Sequence, residues 1–132
     1  MNTEKNGARF LNSFKIKVIL IYMKTRSAKN KGKRLQNSVR DILLETFTQL
    51  EEDDIKSTTM GESGEDIQLS PAARKLIPYS FECKNHEKLN IWSALEQAEE
   101  YSHKGTPVVV FKRNRSKTYA VIEFKEFVDL IK

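Results

Sequence analysis

The stretch EDIQLSPAARKLIPYSFECK, residues 65–84, limits the fold that the rest of the chain can adopt. Alternating apolar residues lie before Pro71 and again at Tyr79, Phe81 and Cys83, which predicts a strand, a turn or single helical turn, and a second strand, over residues 67–70, 71–76 and 77–84. On a strand, alternate side chains lie on opposite faces, so Glu82 and Lys84 share one face. Asp66 stands at the start of the first strand, and a hairpin would bring it beside Glu82.

Outward from this stretch, hydrophobic spacing predicts further helices and strands. The clearest helix covers residues 34–50, where apolar side chains recur three or four positions apart along one stripe: Leu35, Val39, Ile42, Leu43, Phe47 and Leu50. A short strand near 54–59 leads into a glycine-containing loop. After the central stretch come a helix capped by Asn90, two strands joined by a turn and a terminal helix, over residues 91–104, 108–111 with 119–123, and 124–131. This order predicts a small α/β domain with a mixed central sheet.

The composition fits one small domain and excludes several kinds of site. With 132 residues, 39% apolar and 9% aromatic, the chain can build one modest core. A single cysteine, Cys83, and two histidines, His86 and His103, exclude a disulfide framework and a zinc site built from these residue types. Apolar runs stay well short of the roughly 20 residues of a membrane span. We therefore expect no membrane partner and a reducing, cytoplasmic compartment.

Charge is distributed unevenly along the chain. Residues 1–50 carry a net charge of +8, residues 51–70 carry −6 and residues 71–132 carry +3, which gives +5 for the whole chain. A basic segment beside an acidic patch suits a protein that attracts a polyanion and binds a cation locally. The alternative is an ordinary solvated surface of mixed charge.

The first 22 residues differ from the remainder. The apolar segment at 14–23 is interrupted by two lysines, and it has neither the unbroken apolar stretch nor the clear cleavage site of a signal peptide. Two interpretations remain open: an extra edge strand, or non-native sequence upstream of a start at Met23. We divide the chain into an N-terminal extension with a flexible basic arm, residues 1–30, and a domain over residues 31–132.

Asp66, Glu82 and Lys84 form the sharpest candidate site. Two neighbouring carboxylates repel each other and raise one pKa unless a cation lies between them, and Mg²⁺ prefers such oxygen ligands. A nearby ammonium group can orient water or stabilise developing phosphate charge, which suits phosphodiester hydrolysis. A Glu-x-Lys tripeptide alone is most often a surface ion pair. The glycines before Asp66 and the otherwise apolar strand favour the functional interpretation.

This pattern, Asp66 followed by Glu82-Cys83-Lys84, resembles the PD-(D/E)xK nuclease motif. The order of elements is similar to the α-β-β-β-α-β, restriction-endonuclease-like core of that superfamily, over roughly residues 31–123. Within the superfamily the chain most resembles archaeal-type Holliday-junction resolvases and their phage relatives, through the segments KNKGKR, GESGEDI and PYSFECKN. Gln97 and Tyr101 match the Q-x-x-x-Y element of RecB-like nucleases.

The resemblance implies a role for each matching residue. Asp66 and Glu82 would be the ligands of Mg²⁺, for which Mn²⁺ substitutes, and Lys84 would act on water and phosphate. Gln97 would help to position the site, and Tyr101 would lie behind it or against DNA. Resolvases carry a glutamate in the first helix, where this chain has Gln36, a weaker ligand that could still hold a metal-bound water or a phosphate oxygen. This departure puts binding of two metals in doubt.

DNA contacts are expected from basic side chains and from one hydroxyl. The run of seven bases between residues 24 and 40 contains no acid, and a second basic cluster lies at the turn near residue 114. Phosphate contacts are expected from Lys29, Lys31, Lys33, Arg34, Arg40, Arg113 and Arg115. Ser63 is the expected loop hydroxyl near the cleaved strand, with Thr58 and Thr59 as alternatives.

The resemblance therefore implies an Mg²⁺-dependent endonuclease that hydrolyses phosphodiester bonds in branched DNA such as the four-way junction. It also implies a homodimer, since two sites must nick opposing strands, in a bacterial or archaeal cytoplasm or encoded by a phage. One alternative is a nuclease of the same fold that cuts flaps, forks or DNA ends. The other is a non-catalytic nucleic-acid-binding module, which the neutral Gln36 favours and the intact acidic pair disfavours.

Overall fold

The computed structural model describes residues 3–59 and 64–132, which form four α-helices and five strands in a mixed α/β fold. The helices are α1 (Thr3–Thr46), α2 (Pro71–Leu76), α3 (Ile91–Glu99) and α4 (Phe124–Ile131). The strands are β1 (Ile55–Ser57), β2 (Ile67–Leu69), β3 (Tyr79–Asn85), β4 (Thr106–Lys112) and β5 (Tyr119–Val121). A single 3₁₀ turn, Glu52–Asp54, precedes β1.

The strands are divided between two small sheets. β1 and β2 form an antiparallel pair, in which Ile55 lies opposite Leu69. β3 runs parallel to β4, and β4 runs antiparallel to β5, so the three-stranded sheet is mixed. The predicted α/β class and mixed sheet are confirmed. A complete restriction-endonuclease-like core stays a prediction, since β1–β2 and β3–β4–β5 are separate sheets in the part of the chain that the structure describes.

Helix α1 differs from the prediction for the N-terminal region. Of the two interpretations of 14–23 the edge strand is wrong, and so is the flexible arm, because one continuous helix runs from Thr3 to Thr46. The physical reason is the absence of a helix breaker: the chain has no proline before Pro71 and only Gly7 and Gly32 inside the helix. A start at Met23 stays a prediction. Among the described helices, none is long and apolar enough to cross a membrane.

The main core lies between the second half of α1 and the two sheets. Leu35 and Val39 of α1 are buried against β1, β2 and one face of the larger sheet, where Cys83, Val108 and Val110 lie. Ile42, which the periodicity places in the same stripe, is 54% exposed, and Leu44 packs against the core instead. The helix ends four residues earlier than predicted, and Leu50 enters the core from the following turn.

Helix α3 covers the opposite face of the larger sheet. Its contact residues are small, since Ala94 and Ala98 are buried against Val109, which has no exposed surface. Asn90 caps the helix as predicted, because its side-chain oxygen accepts a hydrogen bond from the Ser93 amide at 3.1 Å. The sheet is therefore enclosed between α1 on one face and α3 on the other.

Helix α3 is shorter than the predicted 91–104. From Glu100 to Lys104 amides bond to carbonyls three residues back rather than four, with N···O distances of 2.9–3.2 Å, which tightens the chain into turns. Gly105 then passes so close to β3 that a Cβ atom there would lie 2.7 Å from the carbonyl carbon of Tyr79. The tight approach requires glycine, and it sets where β4 begins beside β3.

Candidate active site

Asp66 reaches the edge of β3 through its side chain. Its backbone oxygen accepts a hydrogen bond from the Thr58 amide at 2.9 Å, which extends the β1–β2 pair. Its carboxylate oxygen Oδ2 accepts a hydrogen bond from the backbone amide of Cys83 at 2.7 Å. Among the described residues β2 and β3 share no ladder, so the hairpin that would have brought Asp66 beside Glu82 is not formed. The side-chain bond still places Asp66 next to Glu82.

Glu82 and Lys84 share one face of β3, as predicted. The Lys84 ammonium Nζ lies 3.2 Å from Glu82 Oε1, and both side chains are largely buried. The β3–β4 register pairs Glu82 with Val109, the residue that packs on α3, so the face in question is the α3 side of the sheet. Cys83 points to the other side and is a buried core residue, as expected, and burial raises the pKa of its thiol.

The two carboxyl groups are held in an environment that disfavours their charge. Burial raises the pKa of Asp66, although the Cys83 amide and the Lys84 ammonium oppose the shift. Burial also raises the pKa of Glu82, and the neighbouring Asp66 charge raises it further, against the attraction of Lys84. Raised carboxyl pKa values in a partly buried pair are typical of sites that hold a cation or transfer protons.

Glu100 is a further acid at this site that the sequence did not single out. Its charge contributes to the raised pKa of Glu82, so it lies near the pair from the end of α3. Gln97 lies three residues earlier on the helix and therefore on the same side as Glu100. Gln97 is exposed to solvent, and no hydrogen bond of its side chain with Asp66 or Glu82 occurs among the described residues. The signal in the sequence was the segment QAEEY, which carries both residues.

Tyr101 is not on the helix where its proposed role would place it. α3 ends at Glu99, and Tyr101 lies in the following turn with its ring 6.5 Å from that of His103. It is partly buried there. The Q-x-x-x-Y spacing therefore does not place Gln97 and Tyr101 one helical turn apart, because the helix tightens between them.

Gln36 is buried on α1, with 8% of its surface exposed. Its side-chain oxygen Oε1 has no hydrogen-bond partner among the described residues. The neighbouring Lys33 donates from Nζ to Ser57 Oγ at 3.0 Å and to the Thr58 carbonyl at 2.9 Å. Since Thr58 also bonds to Asp66, this turn of α1 is tied to the strand end that carries the aspartate. An unsatisfied buried oxygen at this place fits a role for Gln36 as an acceptor.

Glu65 is a second residue that sequence reasoning missed. It is 3% exposed, its Oε1 accepts from the Arg74 guanidinium, and the Lys104 ammonium lies 3.6 Å from the same oxygen. Arg74 also donates to the Lys104 carbonyl at 3.0 Å. The cluster fixes the residue immediately before Asp66. Gly64, with φ of +130°, makes the turn that leads into it.

The predicted DNA-binding residues occupy different environments. Lys29 and Arg34 are exposed on α1, whereas Lys33 is used in the internal contacts described above, and Arg40 pairs with Asp41 at 2.9 Å. Arg113 and Arg115 are exposed at the β4–β5 turn, where Arg115 has a left-handed backbone with φ of 62°. Ser63 lies outside the described residues.

The α1 helix passes the end of β3 immediately after Lys84. Asn85 donates from its side chain to the Lys31 carbonyl at 3.4 Å. A cleft of about 350 Å³ opens there between helix and strand, lined by Lys24, Ser27, Ala28, Lys31, Asn85, His86 and Glu87. Cations of α1 therefore lie beside the end of β3 that follows Lys84.

The side chains available for a metal are the two carboxylates of Asp66 and Glu82. No group of three or more histidine, cysteine, aspartate or glutamate side chains that could hold a metal occurs within residues 3–59 and 64–132. Carboxylate oxygens are ligands that Mg²⁺ prefers, and Mg²⁺ commonly keeps several waters, so two carboxylates are a chemically suitable donor pair for one such ion.

Comparison with known proteins gives no relative. No protein-family model, no curated protein and no solved structure matches this chain.

Proposed function

We propose that this protein is an Mg²⁺-dependent endonuclease of the PD-(D/E)xK type that hydrolyses phosphodiester bonds in branched DNA, most like a Holliday-junction resolvase. One observation carries the proposal: the Asp66 carboxylate is bonded to the Cys83 amide, directly beside the Glu82–Lys84 pair. This brings two carboxylates and an ammonium group together at one strand edge. The arrangement suits phosphate chemistry, because attack on a phosphodiester develops negative charge that such cations offset.

Each residue has a distinct task in this proposal. Asp66 and Glu82 would hold Mg²⁺, or Mn²⁺ in its place, and the bound ion would supply positive charge at the phosphate. Lys84 orients the attacking water in line with the leaving oxygen. Gln36 accepts a hydrogen bond from water or holds its amide towards a phosphate oxygen. Glu65 acts through its neighbour, because its ion pairs keep Asp66 in place.

The substrate is recognised by charge. The exposed cations of α1, with Lys24 and Lys31 in the cleft at the end of β3, favour a DNA backbone that leads into the site. Arg113 and Arg115, exposed at the turn between β4 and β5, would provide a second set of phosphate contacts. A homodimer would let two such sites nick opposing strands of a junction, and the enzyme would act in the cytoplasm of a bacterial or archaeal host.

A non-catalytic DNA-binding module is the second candidate. The observation that favours it is the short Lys84–Glu82 distance of 3.2 Å, since the ammonium already neutralises one of the two carboxylates. A flap, fork or DNA-end nuclease would use the same groups as a junction resolvase. These alternatives differ in whether DNA is cut and in which DNA is preferred.

The test is a cleavage assay on matched DNA substrates. Wild-type protein should cut four-way junctions faster than linear duplex, with Mg²⁺ and not with EDTA. Glu82→Gln should lose cutting by at least about 10²-fold and keep junction binding. Asp53→Asn is the matched control, because the Asp53 side chain is 96% exposed and has no part in the proposed chemistry. Equal cutting by Glu82→Gln would refute the site assignment, and binding without cutting by the wild type would favour the binding module.

A further inference from the structure

A row of three side chains crosses the larger sheet at the level of Lys84. The register pairs Lys84 on β3 with Phe111 on β4, and Phe111 with Tyr119 on β5. Residues paired across neighbouring strands project from the same face of a sheet. With strands about 4.8 Å apart, Tyr119 is anchored only about 10 Å from Lys84. The proposed catalytic lysine is therefore followed directly by two aromatic rings.

The rings of Phe111 and Tyr119 form a surface that a ligand can reach, in addition to packing on the core. The Phe111 and Tyr119 ring centroids are 6.0 Å apart and their planes are inclined by 32°. Phe111 rests on the small core formed by Ala94, Ala98 and Val109 and is partly buried. Tyr119 is 54% exposed. An inner ring supported by the core and an outer ring open to solvent make a platform on which a flat group can stack.

A groove of about 290 Å³ lies over these rings, and its rim is basic. Its aromatic and charged lining residues are Phe111, Tyr119, His86, Lys112, Arg113 and Glu87. Glu87 is the one carboxylate among these lining residues. Its Oε1 accepts a hydrogen bond from the Asn114 amide at 2.7 Å, which ties the side chain to the turn. Ser116 Oγ accepts from the Arg113 amide at 3.0 Å and so holds the turn that carries the cations.

Arg115 adds a second exposed cation at the same turn. Its backbone is in the left-handed region, with φ of 62°, and its side chain is exposed. It stands immediately before Ser116, which lines the groove. The turn beside the groove therefore carries two exposed arginines, Arg113 and Arg115.

We propose that this groove, defined by Phe111, Tyr119, Lys112 and Arg113, binds an unpaired base of the DNA substrate. The base stacks on Tyr119 and Phe111, and the flanking phosphates lie on Lys112, Arg113 and Arg115. The inference rests on the proposed function, and it narrows the substrate class. It selects branched DNA with a single-stranded nucleotide within a few nucleotides of the scissile phosphate, because bases in a duplex cannot present a free face.

The experiment measures DNA binding in the absence of metal, so that cleavage of the DNA does not affect the measured affinity. The probes are a duplex with a single-stranded tail that carries 2-aminopurine and a blunt duplex of the same length. Tyr119→Leu should weaken binding of the tailed DNA on the order of tenfold and leave the blunt duplex unchanged. Tyr119→Phe keeps the aromatic face and should bind as the wild type does. Phe124→Leu is the matched control, since Phe124 is an exposed aromatic outside the groove, with 78% exposure.

A second measurement needs no variant. Quenching of the 2-aminopurine fluorescence on binding to the wild-type protein reports stacking directly, and absence of quenching would overturn the proposal. An equal loss of tailed and blunt DNA by Tyr119→Leu would overturn it too. The two proposals can fail separately. If the protein never cuts DNA but binds tailed DNA in a way that depends on Tyr119, the base-binding groove is supported and the nuclease function is not. If Tyr119→Leu cuts DNA and binds tailed DNA as the wild type does, the base-binding groove is refuted and the nuclease function is not.

Discussion

Helix α1 has two parts with opposite surroundings, a first half up to residue 30 and a second half from residue 31 to Thr46. Residues 13–30 are exposed throughout, although 14–23 is the most apolar stretch of the helix, with exposures of 49–65% at its large apolar side chains. In the second half Leu35 is 3% exposed and Val39 is 7% exposed. Hydrophobic content therefore does not decide which half packs. The arrangement of the apolar side chains decides it. In the second half they form one stripe along the helix, whereas in the first half they are consecutive and project in all directions.

Charged residues show the same contrast. Lys29 in the first half is in solvent, whereas Lys33, four residues later on the same side of the helix, is bonded to Ser57 and Thr58. One lysine is free to meet a phosphate and the other holds α1 to β1. The comparison predicts that substitutions in the first half affect ligand affinity and that those in the second half affect stability.

The largest effect is expected from removing a packed side chain. Leu35→Ala should lower the free energy of unfolding by about 2–5 kcal/mol, because it removes buried methyl groups and leaves a cavity. Leu20→Ala, the matched change in the first half, should alter it by less than about 0.5 kcal/mol, since Leu20 is 51% exposed. Urea unfolding of both variants measures the difference. Similar losses would mean that the first half is packed in solution.

The lysine pair should separate stability from affinity. Lys33→Ala should destabilise the protein by about 1–3 kcal/mol, because two partly buried acceptors lose a charged donor. Lys29→Ala should leave thermal melting unchanged. In a salt titration of duplex binding, Lys29→Ala should reduce the slope of log affinity by about 0.9, the value for one phosphate contact. An unchanged slope would remove Lys29 from the DNA-binding set.

A smaller effect is expected from neutralising a buried carboxylate. The pKa of Asp66 is raised in the folded protein by burial, so at neutral pH the folded state carries a charge that it disfavours. Folded Asp66 binds a proton more tightly than unfolded Asp66, so its cost to stability diminishes as pH falls through the raised pKa. Asp66→Asn keeps an acceptor for the Cys83 amide and removes the charge.

Asp66→Asn should therefore melt a few degrees higher than the wild type at pH 7 in EDTA. The advantage should disappear below the ordinary aspartate pKa of about 4, where both carboxyl groups are protonated. Asp53→Asn, an exposed change, should show no such dependence. A lower melting temperature for Asp66→Asn at pH 7 would show that the negative charge itself stabilises the fold.

The smallest effect is expected from deleting residues 1–22. The core begins at Leu35, and the described side chains of 13–22 are exposed, so the protein over 23–132 should melt within a few degrees of the full chain. Cutting at saturating protein should also be unchanged. A large fall in melting temperature would show that the apolar side chains of 14–22 are packed in solution. The two halves of α1 would then not differ in their surroundings.

The sequence predicted the elements whose signals are local. Asn90 as a cap, Pro71 at a helix start and the alternation around Glu82 each act within a few residues, and all are confirmed. It did not predict that α1 continues to Thr3, because a helix without a stripe leaves no periodic signal. It also placed Ile42 in the core, since the stripe could not show where α1 diverges from the sheets.

The site was predicted in part for the same reason. Glu82 and Lys84 share a face through the two-residue strand period, which is a local rule. The approach of Asp66 depends on a side-chain bond to a residue 17 positions away and not on strand pairing, since β2 and β3 share no ladder among the described residues. Glu65 and Glu100 were missed because their partners come from other elements: Arg74 and Lys104 for Glu65, and Glu82 for Glu100. Long-range pairings of this kind have no spacing rule.

The bond between Asp66 and the Cys83 amide also covers part of an open sheet edge. In the described part of the chain β3 is the outer strand of its sheet, and an outer strand with free amides is a template on which a foreign strand can add. Asp66 occupies one of those amides with a carboxylate, and it places a negative charge where an incoming strand would have to lie. The same carboxylate that serves the proposed chemistry thus guards the edge of the sheet against aggregation.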